Sequence, residues 1–392
     1  MRARTRIVPA LLAACALLLG ACDDGDENND PLRSVGADIA DPRGDGTARC
    51  RDVVIAYAGP SFGEDAGLGR NVLSGVRLAI HRHNQANAGC QVELEEFETD
   101  GVPEKARGLV SNIVGSREVI GVVGLVYSGE MEATGGIFAD AGLVQITPSA
   151  TLPTLSSHGW DTFFRGTGHD GAQAAAAARF LTEHLDARKV CVIGDESAYG
   201  ANLAKAVRAE LGDAGQCAGT VKSHQRDFSD LVDEIKSEDP DAVYYAGYYR
   251  EAGPFARQLA EAAVTVPFVG SDGVMDAEFL EDAGGPPGRV YFTCPCTPPG
   301  LHPGFVDAFR QAFGGREPGA YAAEGYDAAT ALLRGIDAGN VDRASLLEFI
   351  DGYRGRGLTA QMEWNSQGEL AKPTIWTYRV KQGEIVRHVK IS

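Results

Sequence analysis

The chain has 392 residues, with 54 acidic side chains against 36 basic and a net charge of −18. That sign argues against nucleic acid as a partner and against adhesion to anionic lipid. The length exceeds what one hydrophobic core usually supports, so two lobes are expected.

Taken in order, Arg2, Arg4 and Arg6 precede an apolar run over 7–19 and small residues before Cys22, the form of an export signal over 1–21. Leu19-Gly20-Ala21-Cys22 resembles the bacterial lipobox, in which the cysteine is diacylated and becomes the mature N-terminus. Two or more acyl chains anchor stably, so no transmembrane helix is expected after residue 21. Loss of the three signal arginines leaves 33 basic residues against 54 acidic, a balance of −21. Residues 22–50 are rich in Asp, Asn, Gly and Pro without an apolar period and read as an acidic, disordered tether.

From residue 53 strand-like and helix-like segments alternate. Strands are expected over 53–58, 92–97, 119–126 and 143–146, with helices over 69–85, 103–115 and 130–141. After 163–167 the pattern restarts, with a helix over 171–184, strand 189–194, helix 200–211, strand 219–223, helix 229–236 and strand 242–247. Such alternation implies α/β architecture with parallel sheets and right-handed crossovers.

The run over 119–126 is apolar and β-branched enough for a strand covered on both faces. It ends in Tyr127-Ser128-Gly129, where Ser128 is expected to cap the following helix. The next strand stops at Pro148-Ser149-Ala150-Thr151. Alone, Ser128 reads as a cap and Thr151 as a turn residue. Together they place hydroxyls at the carboxyl ends of adjacent strands, beside a helix N-terminus, which suits a small anion or zwitterion.

With Cys15 lost and Cys22 lipidated, six cysteines remain in an oxidising compartment. Each half of the chain places a cysteine near its first strand and another near its second. This suggests Cys50 with Cys90 and Cys191 with Cys217. The state of Cys294 and Cys296 stays open, a bridge across one residue being strained. No His or Cys cluster has metal-ligand spacing. Gly59-Pro60-Ser61-Phe62-Gly63 has the form of a nucleophile elbow, but none of the eight histidines stands out as its base, and a glycine-dependent loop accounts for it. Nucleotide-binding motifs are absent. No catalytic residue, metal or cofactor is assigned.

Tyr57-Ala58-Gly59-Pro60, Pro148-Ser149-Ala150-Thr151, Asp227-Phe228-Ser229-Asp230-Leu231, the segments 241–248 and 269–274, and Gly325-Tyr326-Asp327-Ala328 stand in an order that carries a resemblance. From about Arg51 to its end the chain resembles the type I periplasmic solute-binding proteins, and most closely the leucine/isoleucine/valine-binding group. The resemblance implies two Rossmann-like lobes joined by three hinge crossovers that close on a ligand. Lobe 1 is expected over 51–168 and 297–370, lobe 2 over 169–296 and 371–392. It further implies that Ser128 holds a ligand α-carboxylate with backbone groups of Ser149 and the hydroxyl and N–H of Thr151. Tyr199 and Tyr248 would close over the ligand, Asp272 would pair with its α-ammonium, and Tyr321 and Leu68 would line the side-chain end. Two departures matter. The family's acid is commonly Glu, one methylene longer than Asp272. The branched-chain binders place a disulfide near the pocket where this chain has Gly101 and Tyr127, so a bulky Tyr127 reshapes that end.

The function implied is a solute-binding protein, lipid-anchored on the extracytoplasmic face of a bacterial membrane. It would capture an amino acid, branched-chain ones included, or a similar small polar ligand for an ABC permease. It is expected to act as a monomer, to touch the membrane through its anchor alone and to catalyse nothing. The alternative is a sensor of the same fold that feeds a signalling partner.

Overall fold

The computed structural model describes residues 39–63, 66–284 and 289–391. The expected signal, the lipidation at Cys22 and the tether up to residue 38 lie outside the described residues.

The first lobe is built from β1 (Val53–Gly59), α1 (Gly67–Ala86), β2 (Val92–Glu98), α2 (Pro103–Gly115), β3 (Val119–Gly124), α3 (Ser128–Asp140), β4 (Val144–Thr147) and β5 (Phe163–Arg165). β1, β3 and β4 are buried along their whole length, as apolar strands covered by helices on both faces must be. All pairings are parallel and the order is β2-β1-β3-β4-β5. The order reverses between β1 and β3, where Ala58 pairs with Gly124 and the two carboxyl ends stand level. An open α/β sheet forms its ligand crevice at such a switch point.

The second lobe repeats that order. After α4 (Asp170–Arg179) come β6 (Val190–Asp195), α5 (Ala198–Leu211), β7 (Cys217–Val221), α6 (Ser229–Glu238), β8 (Ala242–Ala246), α7 (Tyr249–Glu261), β9 (Phe268–Gly270), α8 (Ala277–Asp282) and β10 (Val290–Cys294). The strands stand as β7-β6-β8-β9-β10, all parallel. The chain then returns to the first lobe with α9 (Pro303–Ala312), α10 (Ala322–Asp337), which packs along α1, and α11 (Arg343–Asp351), which packs on β3 and β4. A short ladder, β11 (Gly355–Arg356) with β12 (Gln361–Met362), precedes the last crossing. At the crossovers the Thr167 hydroxyl donates to Pro295 O at 3.1 Å, and Gly168 lies so close to Pro295 and Pro373 that a Cβ there would sit 3.0–3.2 Å from them.

Three expectations need correction. The second sheet is mixed, because β13 (Trp376–Lys381) and β14 (Glu384–Lys390) form a hairpin that joins β10 antiparallel. Its two-residue turn, Gln382 and Gly383, has both φ values positive (55° and 81°), a geometry whose twist matches that of the flanking antiparallel strands. The helix expected over 171–184 ends its α-turns at Arg179 and finishes in a wider π-turn over Phe180–His184. Finally, residues 39–50, expected as the end of the tether, are bonded to the first lobe. Ala40 N donates to Arg356 O at 2.7 Å, Pro42 O meets buried His83 Nδ1 at 3.1 Å, and Asn87 donates to Arg43 O and accepts from Ala48 N. This strap has no apolar period of its own; the polar groups at the end of α1 order it.

Disulfides join Cys50 to Cys90 and Cys191 to Cys217, each tying the first two strands of a lobe, and a third joins Cys294 to Cys296. Because the Cys50–Cys90 bridge spans 40 residues and also fixes the end of the strap, replacing both cysteines by serine should lower stability by about 2–4 kcal/mol. Urea unfolding of the double variant measures this, and an unchanged midpoint would contradict it.

Candidate functional site

The site lies where the carboxyl ends of β3 and β4 face those of β6, β8 and β9. On the first lobe, α3 starts at Ser128, and its N-cap is Tyr127, whose N–H is taken by Glu130 Oε2 at 3.2 Å in a capping box. Ser128 therefore occupies the first helical turn instead of the cap position. Freed from capping, its hydroxyl accepts from Thr151 N at 3.2 Å and Leu152 N at 3.3 Å, leaving its own proton to donate.

The loop after β4 is tightly held. Thr147 Oγ1 donates to Leu125 O at 2.7 Å, and Ser149 Oγ donates to Val126 O at 2.8 Å, so the Ser149 hydroxyl proton is committed to the loop. Beneath it Arg165, fully buried, donates to Ala150 O and, at 3.0 Å, to Leu152 O, while forking onto the Glu369 carboxylate at 2.8–3.1 Å. One guanidinium thus pins the loop and is itself neutralised by a residue delivered on the return segment.

On the second lobe Asp272, 3% exposed, opens a short turn after β9. Its Oδ1 accepts from Gln173 Nε2 at 2.7 Å and Tyr199 OH at 2.5 Å, and its Oδ2 accepts from Tyr321 OH at 2.7 Å. Burial raises its carboxyl above the usual range while these three donors oppose the rise. Tyr321 reaches it from the residue before α10 with φ at 65°, a left-handed conformation costing a bulky residue about 1–3 kcal/mol. Tyr248 caps α7, gives its N–H to Asp195 Oδ2 at 3.2 Å, and tilts against Tyr199 with ring centroids 5.3 Å apart. Gly273 permits this approach, since a Cβ there would lie 2.4 Å from Gly247 O and 2.9 Å from the Tyr248 ring.

The lobes touch across the crevice. Tyr127 and Tyr248 meet edge to face at 4.9 Å, Tyr249 OH accepts from Gly67 N at 3.2 Å, and Arg70 pairs with Glu278 at 3.0 Å. The last pair is about one-third exposed and worth little. Leu68 is buried in the apolar cluster that contains Tyr127 and Tyr321. The structure thus brings Ser128, Ser149 and Thr151 together on one wall and Tyr199, Tyr248 and Asp272 on the other, with Tyr321 bridging. Ser61, in the loop with the elbow-like spacing, donates to Glu98 at 2.6 Å, an acid and not a histidine. Among the described residues no cluster of His, Cys, Asp or Glu suits a metal.

Sequence reasoning missed two groups in the crevice besides Arg165. Gln173 on α4 donates to Asp272 and to Thr293 O at 2.9 Å. Asp170, the first residue of α4, is 1% exposed, and among the described residues neither of its carboxylate oxygens has a hydrogen bond. Thr151 Oγ1 is likewise unsatisfied; it lies close enough to Asp170 to favour the ionised form, but not at hydrogen-bond geometry. Burial, with the Asp272 charge adding to it, pushes the Asp170 carboxyl up to about 7. The signal for Asp170 was only an acid in a helix's first turn, which reads as ordinary dipole compensation.

Over residues 52–384 the chain matches the family model described as periplasmic binding protein. It is 31% identical over 330 residues to the "Amino acid binding protein" of Pseudomonas aeruginosa, covering 81% of this chain and 87% of that one. It is 28% identical over 349 residues to "Leu/Ile/Val-binding protein homolog 3" of Brucella melitensis biotype 1, covering 87% and 94%. Its fold is similar to the branched-chain amino acid transporter substrate binding protein LivJ of Streptococcus pneumoniae in complex with isoleucine. The TM-score is 0.80 at 25% identity, with 87% of this chain and 100% of that one covered.

An acid whose folded pKa exceeds its unfolded value holds its proton in the fold and loses it on unfolding, so it destabilises increasingly as pH rises from about 4 to about 7. For Asp170 the displacement from 3.8 to about 7 is on the order of 4 kcal/mol at full ionisation. Asp170→Asn should therefore stabilise the ligand-free protein at pH 8 and leave it nearly unchanged at pH 4. Urea unfolding at both values tests this; an equal effect at the two would refute it.

Proposed function

This chain belongs to the periplasmic binding protein family, and from that membership we propose that it captures an amino acid between its two lobes and passes it to the permease of an ABC transporter. As a solute-binding protein it is not an enzyme. The observation that carries the reading is the division of chemistry across the crevice. One wall has neutral donors at the N-terminus of α3, the Ser128 hydroxyl and the unsatisfied Thr151 hydroxyl, the Thr151 N–H being taken up by Ser128; the other has the buried acid Asp272, with Asp170 beside it. That pairing answers both ends of a zwitterion: a carboxylate at the helix N-terminus and an ammonium at the acids. A ligand touching both walls favours the closed form, because only there does it satisfy both charges.

Within this reading Ser128 and Thr151 hold the α-carboxylate with backbone groups of Ser149. Asp272 takes the α-ammonium, and Tyr199, Tyr248, Tyr321, Tyr127 and Leu68 surround the rest. The Asp170 carboxyl near 7 adds a second acid toward the ammonium. Since the ionised form attracts it, affinity should rise between pH 6 and pH 8. The relatives named for amino acids support this class of ligand. The Leu19-Gly20-Ala21-Cys22 motif supports attachment through acylated Cys22 to the extracytoplasmic face of a bacterial membrane.

Asp272→Ala should weaken amino-acid binding at least about tenfold, since it removes a charge-assisted contact worth roughly 1.5–3 kcal/mol. Isothermal calorimetry on the purified chain reads this out, and unchanged affinity would remove the acid from its role. Cys22→Ala should move the protein from the membrane fraction to the soluble one; persistent membrane association would count against the anchor.

A further inference from the structure

We propose that the contact between Tyr127 and Tyr248 sets a ceiling on the ligand's side chain, restricting the site to α-amino acids of about alanine size and disfavouring leucine-sized ones. This rests on the amino-acid reading above. Tyr127 directly precedes Ser128, so its ring begins one residue from the hydroxyl assigned to the carboxylate. The ring cannot retreat. Behind it lies Gly101, in the left-handed region with φ at 74°, where a Cβ would be 2.8 Å from the ring's Cε2 and 2.9 Å from its Cδ2. The ring is thus stacked against a bare α-carbon, in a loop held by Val102 N to Thr99 O at 3.1 Å. Its own backbone is pinned by the 3.2 Å bond to Glu130.

In front of it the Tyr248 ring stands edge-on at 4.9 Å from the other lobe. Tyr248 is backed by Tyr199, and Tyr199 OH is bonded to Asp272 at 2.5 Å. An unbroken row therefore runs from the ammonium acceptor to the back wall: Asp272, Tyr199, Tyr248, Tyr127, Gly101. A ligand with its two charged ends at Asp272 and at Ser128 and Thr151 has its α-carbon fixed between the walls. A side chain longer than a carbon or two meets the Tyr127–Tyr248 contact and wedges it open. Because that contact joins the two lobes, the longer ligand forgoes closure.

The test is calorimetry of glycine, alanine, valine and leucine on the wild-type chain, on Tyr127→Ala and, from the opposite lobe, on Tyr248→Ala, with ligand-free melting followed for each. In wild type, alanine should bind roughly tenfold or more tighter than leucine, the scale on which pockets discriminate added methylenes. In either variant the alanine-to-leucine ratio should fall at least about tenfold, mainly through a gain for leucine. Wild type binding leucine as tightly as alanine overturns the ceiling. So does a variant that keeps its fold and weakens all four ligands in proportion, for then the rings are only contact surface. If no α-amino acid binds any of the three proteins, the amino-acid reading fails and takes the ceiling with it.

Discussion

A buried carboxylate dictates the arrangement of this molecule. Asp272 is almost wholly withdrawn from water, and an ionised acid in that position must be answered by donors or cations. Its three donors come from three separate stretches: Gln173 on α4, Tyr199 on α5, and Tyr321 just before α10. The first two follow the first crossover and the third follows the second, so the acid's satisfaction depends on both crossovers meeting at one place. Tyr321 accepts a left-handed backbone to take part. Donors aimed at one carboxylate lower its cost without cancelling its charge, so a negative field remains on this wall of the crevice.

The opposite wall works without formal charge. The α3 N-terminus and the loop after β4 present N–H groups and hydroxyls whose directions are fixed by Arg165 and Thr147 from beneath. Arg165 carries a full positive charge beneath this loop, and Glu369 neutralises it, so it orients the loop without adding net charge to the wall. Fixed dipoles on one side and a charge on the other make the crevice polar along one axis.

Much of this architecture was legible because it follows from local rules. Apolar, β-branched runs separated by amphipathic helices suit buried parallel strands, and the restart after residue 163 marked a second sheet, although β9, β10 and the strand order were not read. Ser128 and Thr151 were visible for the same reason, as hydroxyls at strand ends. What could not be read depends on distant pieces. Gln173 and Asp272 are 99 residues apart, and nothing near either announces the other. Asp170 resembled any acid in a first helical turn. Ser128 was displaced from cap to first turn by Tyr127 and Glu130, a shift of one residue that local propensity does not resolve. The strap over 39–50 has the composition of a tether, and its order is borrowed from His83, Asn87 and Cys90.

That strap braces the first lobe from behind. It grips α1 near His83, whereas the other end of the same helix faces the crevice through Gly67 and Tyr249. Sixteen residues of helix separate the two, about 24 Å of rigid rod. The strap, the Cys50–Cys90 disulfide and the axis of α1 thus form one continuous brace, running from the rear of the first lobe to the wall of the crevice.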